Sequence, residues 1–357
     1  MASLENPPLD PAATLRDAVR AIEATHRRIA VVADAAGMLI GTLTDGDIRR
    51  GLLRGLTLED GVASAMNAAP TTAHAASERS YLLELLVNRG FESLPLVDAQ
   101  GRYVAVVSRY DLGPAGSAGA PVEARSAIAL AVIMAGGEGQ RLRPMTETLP
   151  KPMVDIGGMP LIERIVRSLI AAGVPQLRIA VNYLHHVIEQ HLGDGSALGG
   201  RIDYLREKTK LGTAGALSLL TDRPDGPVLV MNGDVVTSFD CNALQRYHAE
   251  QEAMVTVAAM EYRVDIPYGV IQSDGACVTG LMEKPSQRFL CNAGIYMLSP
   301  EALERIPPDR AFNMTDLIET CLAAGQKVCI FPLHEYWADI GTPKDLADAR
   351  LALLKLT

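Results

Sequence analysis

Aromatic residues are scarce in this 357-residue chain, 4% in all, and Trp337 is the sole tryptophan. Single-strand nucleic-acid binding needs several rings on which bases stack, so that class is excluded. Cysteine is sparse too. Cys241, Cys277, Cys291, Cys321 and Cys329 are odd in number, and no two form a CxxC pair. That pattern fits reduced thiols and neither a disulfide framework nor a zinc site. The longest apolar run, Ala127 to Ala135, is far shorter than the ~20 residues of a membrane span. The opening MASLENPPLD has no basic stretch ahead of an apolar run, so no secretory signal is expected. Basic charge is outweighed: 33 Lys and Arg against 42 Asp and Glu leave a net charge of -9, the wrong sign for a broad phosphate-backbone surface. The expectation is a cytoplasmic protein with neither nucleic-acid nor membrane partners. What is present suits packed domains: hydrophobic residues make up 48% and charged residues 21%.

The length suits two domains. The seam is GPAGSAGAPVEARS, residues 113–126, where small residues and two prolines replace any apolar periodicity. The expected division is 1–115, a linker at 116–126, and 127–357. The first part repeats itself. AVVADAAGMLIGTLTDGDI (Ala30 to Ile48) aligns with LPLVDAQGRYVAVVSRYDL (Leu94 to Leu112), pairing Asp34 with Asp98, Gly37 with Gly101, Thr44 with Ser108 and Asp47 with Asp111. Each copy reads as strand, glycine turn, strand, then a Thr/Ser-x-x-Asp step that opens a helix. Amphipathic helices are predicted ahead of them, at Leu15 to Ala24 and Ser80 to Arg89. One copy cannot bury its sheet alone, so the two should pack together.

This part resembles a cystathionine-β-synthase-type (CBS) domain pair. The resemblance implies an adenine nucleotide in the cleft between copies, held at phosphate and ribose by Thr44, Asp47, Ser108 and Asp111. Read from the residues alone, the same positions are good helix caps.

The second part alternates strand and helix. Ile128 to Met134 is an uninterrupted apolar run, as a central parallel strand requires. Helices are predicted at Pro160 to Ala172, Thr213 to Leu220, after Asp240, and at Pro343 to Leu354 behind Thr342. Strands are predicted at Leu177 to Val181, Val228 to Met231, Ala293 to Leu298 and Val328 to Phe331. The fold class is therefore α/β, a mainly parallel Rossmann-like domain behind an α+β repeat pair.

The chemistry concentrates in AVIMAGGEGQRLRPMTETLPKPM, Ala131 to Met153. A buried strand runs into Gly136, Gly137 and Gly139, which bare backbone N–H groups to a phosphate chain. Arg141, Arg143 and Lys151 then supply positive charge. Leu142 stands where a dinucleotide fingerprint needs its third glycine, and no Gly-Lys-Ser/Thr follows, so neither common template fits. His185, His186, Glu189 and His191 look metal-rich, but they follow no HExxH pattern and read as a polar helix face.

The stretch resembles the sugar-1-phosphate nucleotidyltransferase signature GGxGxRLxPxTxxxPKPM, and further blocks follow in that family's order. They are LGTAGAL (Leu211 to Leu217), NGD (Asn232 to Asp234), PYGV (Pro267 to Val270), EKP (Glu283 to Pro285), NAGIY (Asn292 to Tyr296) and WADIGTP (Trp337 to Pro343). The resemblance implies that an NTP and a sugar 1-phosphate give an NDP-sugar and pyrophosphate. It implies Mg2+ on Asp234 and Asp339, and two carboxylates with phosphate oxygens suit that ion. Arg141 would grip the leaving phosphates and Lys151 the α-phosphate. Ala135, Gly136, Gly137, Gly139, Leu211, Gly212 and Thr213 would line the nucleotide. Gly269, Glu283, Lys284, Asn292 and Gly294 would take the sugar phosphate.

The whole chain is similar to CBS-fused guanylyltransferase-like proteins acting on glucosamine 1-phosphate in legionaminic acid pathways, which favours GTP. UTP, dTTP, mannose 1-phosphate or another hexose 1-phosphate are the alternatives. A homo-oligomer is expected, because CBS pairs associate side by side. Three other classes compete: a glycosyltransferase using a preformed nucleotide sugar, a regulatory subunit with a degenerate site, and an adenylate sensor.

Overall fold

The computed structural model describes residues 6–25, 27–88, 91–108, 110–112 and 127–356. The predicted linker, residues 113–126, and Arg89 lie outside these. The chain divides into two compact units, Met1–Glu123 and Ala124–Thr357.

In the first unit, copy one holds α1 (Leu15–Ala24), β1 (Ile29–Ala33), β2 (Leu39–Thr44) and α2 (Asp45–Leu53). Copy two holds β3 (Ala73–His74), α3 (Arg79–Asn88), β4 (Ser93–Val97) and β5 (Tyr103–Ser108). β1 pairs antiparallel with β2, and β4 with β5. Capping boxes fix both helix starts in copy one: Thr14 with Asp17, and Thr44 with Asp47. In copy two the helix predicted after Ser108 is, among the described residues, only a short 3-10 turn at Tyr110–Leu112. Each copy has its own core, around Leu15, Leu43 and Ile48 in one and Leu86 and Leu94 in the other. Ile29 and Val31 meet Val106 between them, so the repeat packs on itself as one unit.

The second unit is built on β6 (Leu130–Met134), α4 (Leu161–Ala171), β7 (Leu177–Val181), α5 (His185–Leu192), β8 (Ile202–Arg206), α6 (Gly212–Gly215) and β9 (Val228–Asn232). It continues through β10 (Val235–Thr237), α7 (Cys241–Glu250), β11 (Val255–Asp265), β12 (Val270–Asp274), β13 (Cys277–Met282) and β14 (Ser286–Leu298). α8 (Pro300–Leu303), α9 (Met314–Ala323), β15 (Val328–Leu333), β16 (Trp337–Asp339) and α10 (Pro343–Leu356) complete it. The seven-stranded sheet runs β15-β11-β14-β9-β6-β7-β8. All neighbours are parallel except β14, which is antiparallel to both β9 and β11.

Alternate residues of β6 face opposite cores. Ala131 and Ile133 pack with Leu161, Ile165 and Leu169 of α4, while Leu130 and Val132 pack with Leu317 of α9. Helices cover both faces, which is why the strand is apolar throughout. The helix predicted at Thr213 to Leu220 divides into α6 and a 3-10 segment, Ala216–Leu219. The histidine-bearing helix α5 behaves as a polar face: Glu189 pairs with His185 and Arg206, and His191 with Glu163. No helix among the described residues is long and apolar enough to cross a membrane.

Candidate active site

The site lies where parallel strands β6, β7, β8 and β9 end, the edge at which open α/β sheets bind ligands. Three backbone bonds close this edge: Ala135 N–H to Ala180 O at 2.8 Å, Gly233 N–H to Met134 O at 2.9 Å, and Glu207 N–H to Val181 O at 3.0 Å.

After β6 the chain makes a glycine turn and doubles back. Gly139 holds φ 60°, a backbone that favours glycine, and a Cβ there would lie 2.9 Å from Lys151 Cβ and 3.1 Å from Thr146 Cγ2. Thr146, fully buried, donates its hydroxyl to Gly139 O at 2.7 Å. The turn is thereby clasped onto the segment that carries Lys151, which is only 8% exposed.

Lys151 Nζ forms ion pairs with Asp234 and, at 3.5 Å, with Asp339. The two aspartates come from distant chain segments. Asp234 follows β9 through the NGD turn, and Asp339 ends β16, where it pairs with Val235 of β10. A bond from Ile340 N–H to Asp234 O, 3.0 Å, locks the two turns together. Burial, reinforced by the nearby charge of Asp234, pushes the Asp339 carboxyl above the ordinary range, against the lowering influence of Lys151 and Arg141. Arg141 packs its guanidinium on Gly341, where a Cβ would meet both terminal nitrogens at 3.2 Å. Arg141, Lys151, Asp234 and Asp339 therefore share one site.

The other predicted residues divide. Asn292 accepts from Gly294 N–H at 2.9 Å, and Gly294 abuts Asn232, beside Asp234. Trp337 Nε1–H donates to Ala293 O at 2.9 Å, tying this turn to β16. Leu211, Gly212 and Thr213 sit across the glycine turn, joined to it by the Lys210–Glu138 ion pair. Gly269 and Glu283 adjoin one another, and Lys284 is exposed. Among the described residues neither Glu283 nor Lys284 forms a hydrogen bond or ion pair, so no such bond joins them to Lys151, Asp234 or Asp339.

Sequence reasoning missed Glu207. It follows β8 and accepts from Leu211 N–H at 2.9 Å. A Cβ on Gly136 would lie 2.8 Å from its Oε1. Asn182, following β7, donates to Glu207 O at 3.0 Å. Burial raises the Glu207 carboxyl, while the Leu211 N–H opposes that shift. Its place directly after a strand at the carboxyl edge was the signal that could have found it.

In the repeat unit the cap geometry is explicit. Asp47 accepts from Thr44 N–H and Oγ1 at 2.8 and 2.7 Å, and Asp111 from Ser108 N–H and Oγ at 2.7 and 2.8 Å. Arg27, from copy one, reaches Asp111 at 2.8 Å and also donates to Val106 O.

The nucleotidyl transferase family profile matches residues 130–355, and the CBS-domain profile matches 4–54 and 62–112. The chain is 31% identical over 233 residues to a mannose-1-phosphate guanylyltransferase of Mycobacterium tuberculosis, covering 63% of this chain and 64% of the relative. It is 36% identical over 223 residues to a mannose-1-phosphate guanyltransferase of Yarrowia lipolytica, covering 60% and 61%. The chain thus spans less than two thirds of the length of these relatives. A solved Bacillus anthracis protein, assigned as a glucose-1-phosphate thymidylyltransferase, superposes with a TM-score of 0.51 at 25% identity, over 63% of this chain and 95% of that one. With more than half of its residues inside one profile, the chain belongs to the nucleotidyl transferase family, and it carries a CBS-domain pair ahead of that domain.

Proposed function

We propose that the protein transfers a guanylyl group from GTP to a hexose 1-phosphate, releasing pyrophosphate. The observation that supports this most is the buried Lys151 bracketed by Asp234 and Asp339 beside the glycine turn. A sugar-phosphate oxygen forms the new bond to the α-phosphorus as the bond to pyrophosphate breaks. That oxygen is already ionised at neutral pH, so no general base is needed. The barrier is the meeting of two polyanions, and preorganised positive charge lowers it.

Lys151 would hold the α-phosphate, while Arg141 would hold the departing phosphates. Asp234 and Asp339 fit a divalent cation. They converge on one cation, and burial plus mutual repulsion raises the Asp339 carboxyl, an excess of negative charge that a second cation relieves. Mg2+ held there would neutralise charge on the triphosphate. Asn292 and Gly294 would contact the sugar, with Gly269, Glu283 and Lys284 reaching its phosphate and hydroxyls.

Ala135, Gly136, Gly137, Gly139, Leu211, Gly212 and Thr213 would cradle the nucleotide. Glu207 supports GTP: guanine presents two adjacent N–H donors, and a carboxylate beside the glycine turn can accept both. Two sugars compete. The resemblance to CBS-fused proteins points to glucosamine 1-phosphate, and the curated relatives point to mannose 1-phosphate. A matrix of GTP, UTP and dTTP against these phosphates, with Mg2+ and scored for pyrophosphate, tests the reading. Absence of pyrophosphate in every cell, with consumption of a preformed nucleotide sugar, would instead make the protein a glycosyltransferase. For the repeat unit we propose an adenine nucleotide at Thr44, Asp47, Ser108 and Asp111.

A further inference from the structure

β11 pairs with the sheet only as far as Met260. Glu261–Asp265 then runs on with Ser286–Leu290 as a two-stranded ribbon, and β12–β13 forms a separate hairpin at its end. Sixteen large apolar side chains are exposed among the described residues, and nine of them fall between Tyr262 and Leu290. Scattered singly such residues need no explanation, but clustered on one arm they do.

The register sorts them onto faces. Tyr262 lies opposite Phe289, and Val264, two positions on, shares their side. The other side carries Glu261, Arg263 and Arg288, which pair among themselves. In the hairpin, Ile271 lies opposite Leu281, and Val278, beyond the register shift, shares that side. These three are 62%, 66% and 67% exposed. Ribbons of two strands are marginal by themselves, and an amphipathic one calls for a cover on its apolar side.

We infer that a second copy of this chain docks on the β12–β13 arm. The six side chains on these apolar sides, Tyr262, Val264, Phe289, Ile271, Val278 and Leu281, offer on the order of 600 Å² of surface, the lower end of the share each partner gives to a standard interface. The arm's charges are balanced, with Arg263, Lys284 and Arg288 against Glu261, Asp265, Asp274 and Glu283. A strongly charged partner has no field to follow here. A patch with both signs and one apolar face can instead complement itself across a two-fold axis.

The test is sedimentation equilibrium on the full chain, with hydrogen exchange over residues 268–283. The wild type is expected at a multiple of its 38.2 kDa chain mass, with arm exchange slowing as protein concentration rises. The double variant Ile271→Asp with Leu281→Asp should weaken association at least ten-fold, whereas Gln272→Asp, on the opposite face, should leave it unchanged. Thermal melts confirm folding, and Val278→Asp alone serves where the double variant fails to fold. A monomeric wild type with concentration-independent exchange overturns the proposal. So does an unchanged mass in the folded arm variants.

Discussion

Lys151 meets two carboxylates while being 8% exposed, so its charge is held in place before any substrate arrives. Removing one such preorganised donor lowers turnover by about 10²–10³. Lys151→Met should show that loss in a pyrophosphate-release assay, and near-normal turnover by a folded variant would end the role. Glu207 governs a different quantity. Glu207→Gln keeps an acceptor but replaces the second with a donor. It should therefore cut kcat/KM for GTP by about 10-fold or more, with less effect on UTP. Equal losses for both nucleotides would make Glu207 only a support for the glycine turn.

His248 makes a residue-scale prediction away from catalysis. It is 4% exposed and bonded to Thr256 Oγ1 at 2.8 Å and to Ser299 Oγ at 3.1 Å. Burial lowers its pKa from 6.5 to about 4. The unfolded chain takes up a proton as pH falls through 6.5, and the folded chain resists until about 4. His248 therefore contributes fully above that window, and its contribution is lost across it, roughly 3–4 kcal/mol in all. Urea unfolding at pH 7.5 and pH 5 should show a smaller pH dependence for His248→Gln than for the wild type. Parallel losses in both would assign the effect elsewhere.

At the scale of elements, the glycine turn is one unit with the Lys151 segment. Gly139→Ala forces a left-handed alanine and a clash at Lys151 Cβ. It should cost about 1–3 kcal/mol in stability and lower turnover as well, because the displaced group is the lysine. Melting and pyrophosphate assays on the same preparation check both; a stability loss with full activity would uncouple turn from site.

Elements with local signals were legible from the residues. The Ile128–Met134 run gives β6, Asp240 caps α7, and the Thr342–Asp345 pair starts α10. What escaped is set by distant partners. Nothing near Ser286 says that β14 runs antiparallel inside an otherwise parallel sheet, since register arises from pairing. The arm escaped because its apolar residues alternate without burial. The meeting of Asp234 and Asp339, 105 positions apart, was expected from the family's block order and not from either segment's own pattern.

At the scale of the whole molecule, the question is what a CBS pair contributes. Asp47 and Asp111 each accept from the residue that opens their own turn, so both carboxylates are already oriented by local bonds. An added nucleotide would then act by mass action. At 100 times its Kd it should stabilise that unit by about 2.7 kcal/mol, seen as a rise in melting temperature with AMP, ADP or ATP. Asp47→Ala should abolish most of the rise. Influence on catalysis is a separate matter, since a ligand shifts only an equilibrium between states that it binds unequally. Linkage then demands reciprocity: if the adenine nucleotide changes GTP affinity by some factor, GTP must change adenine-nucleotide affinity by the same factor. Calorimetric titration of each nucleotide with and without the other measures both sides. Equal factors different from one would establish coupling between the units. A melting shift with no mutual effect would leave the pair as a bound but uncoupled domain, and no shift at all would remove the ligand.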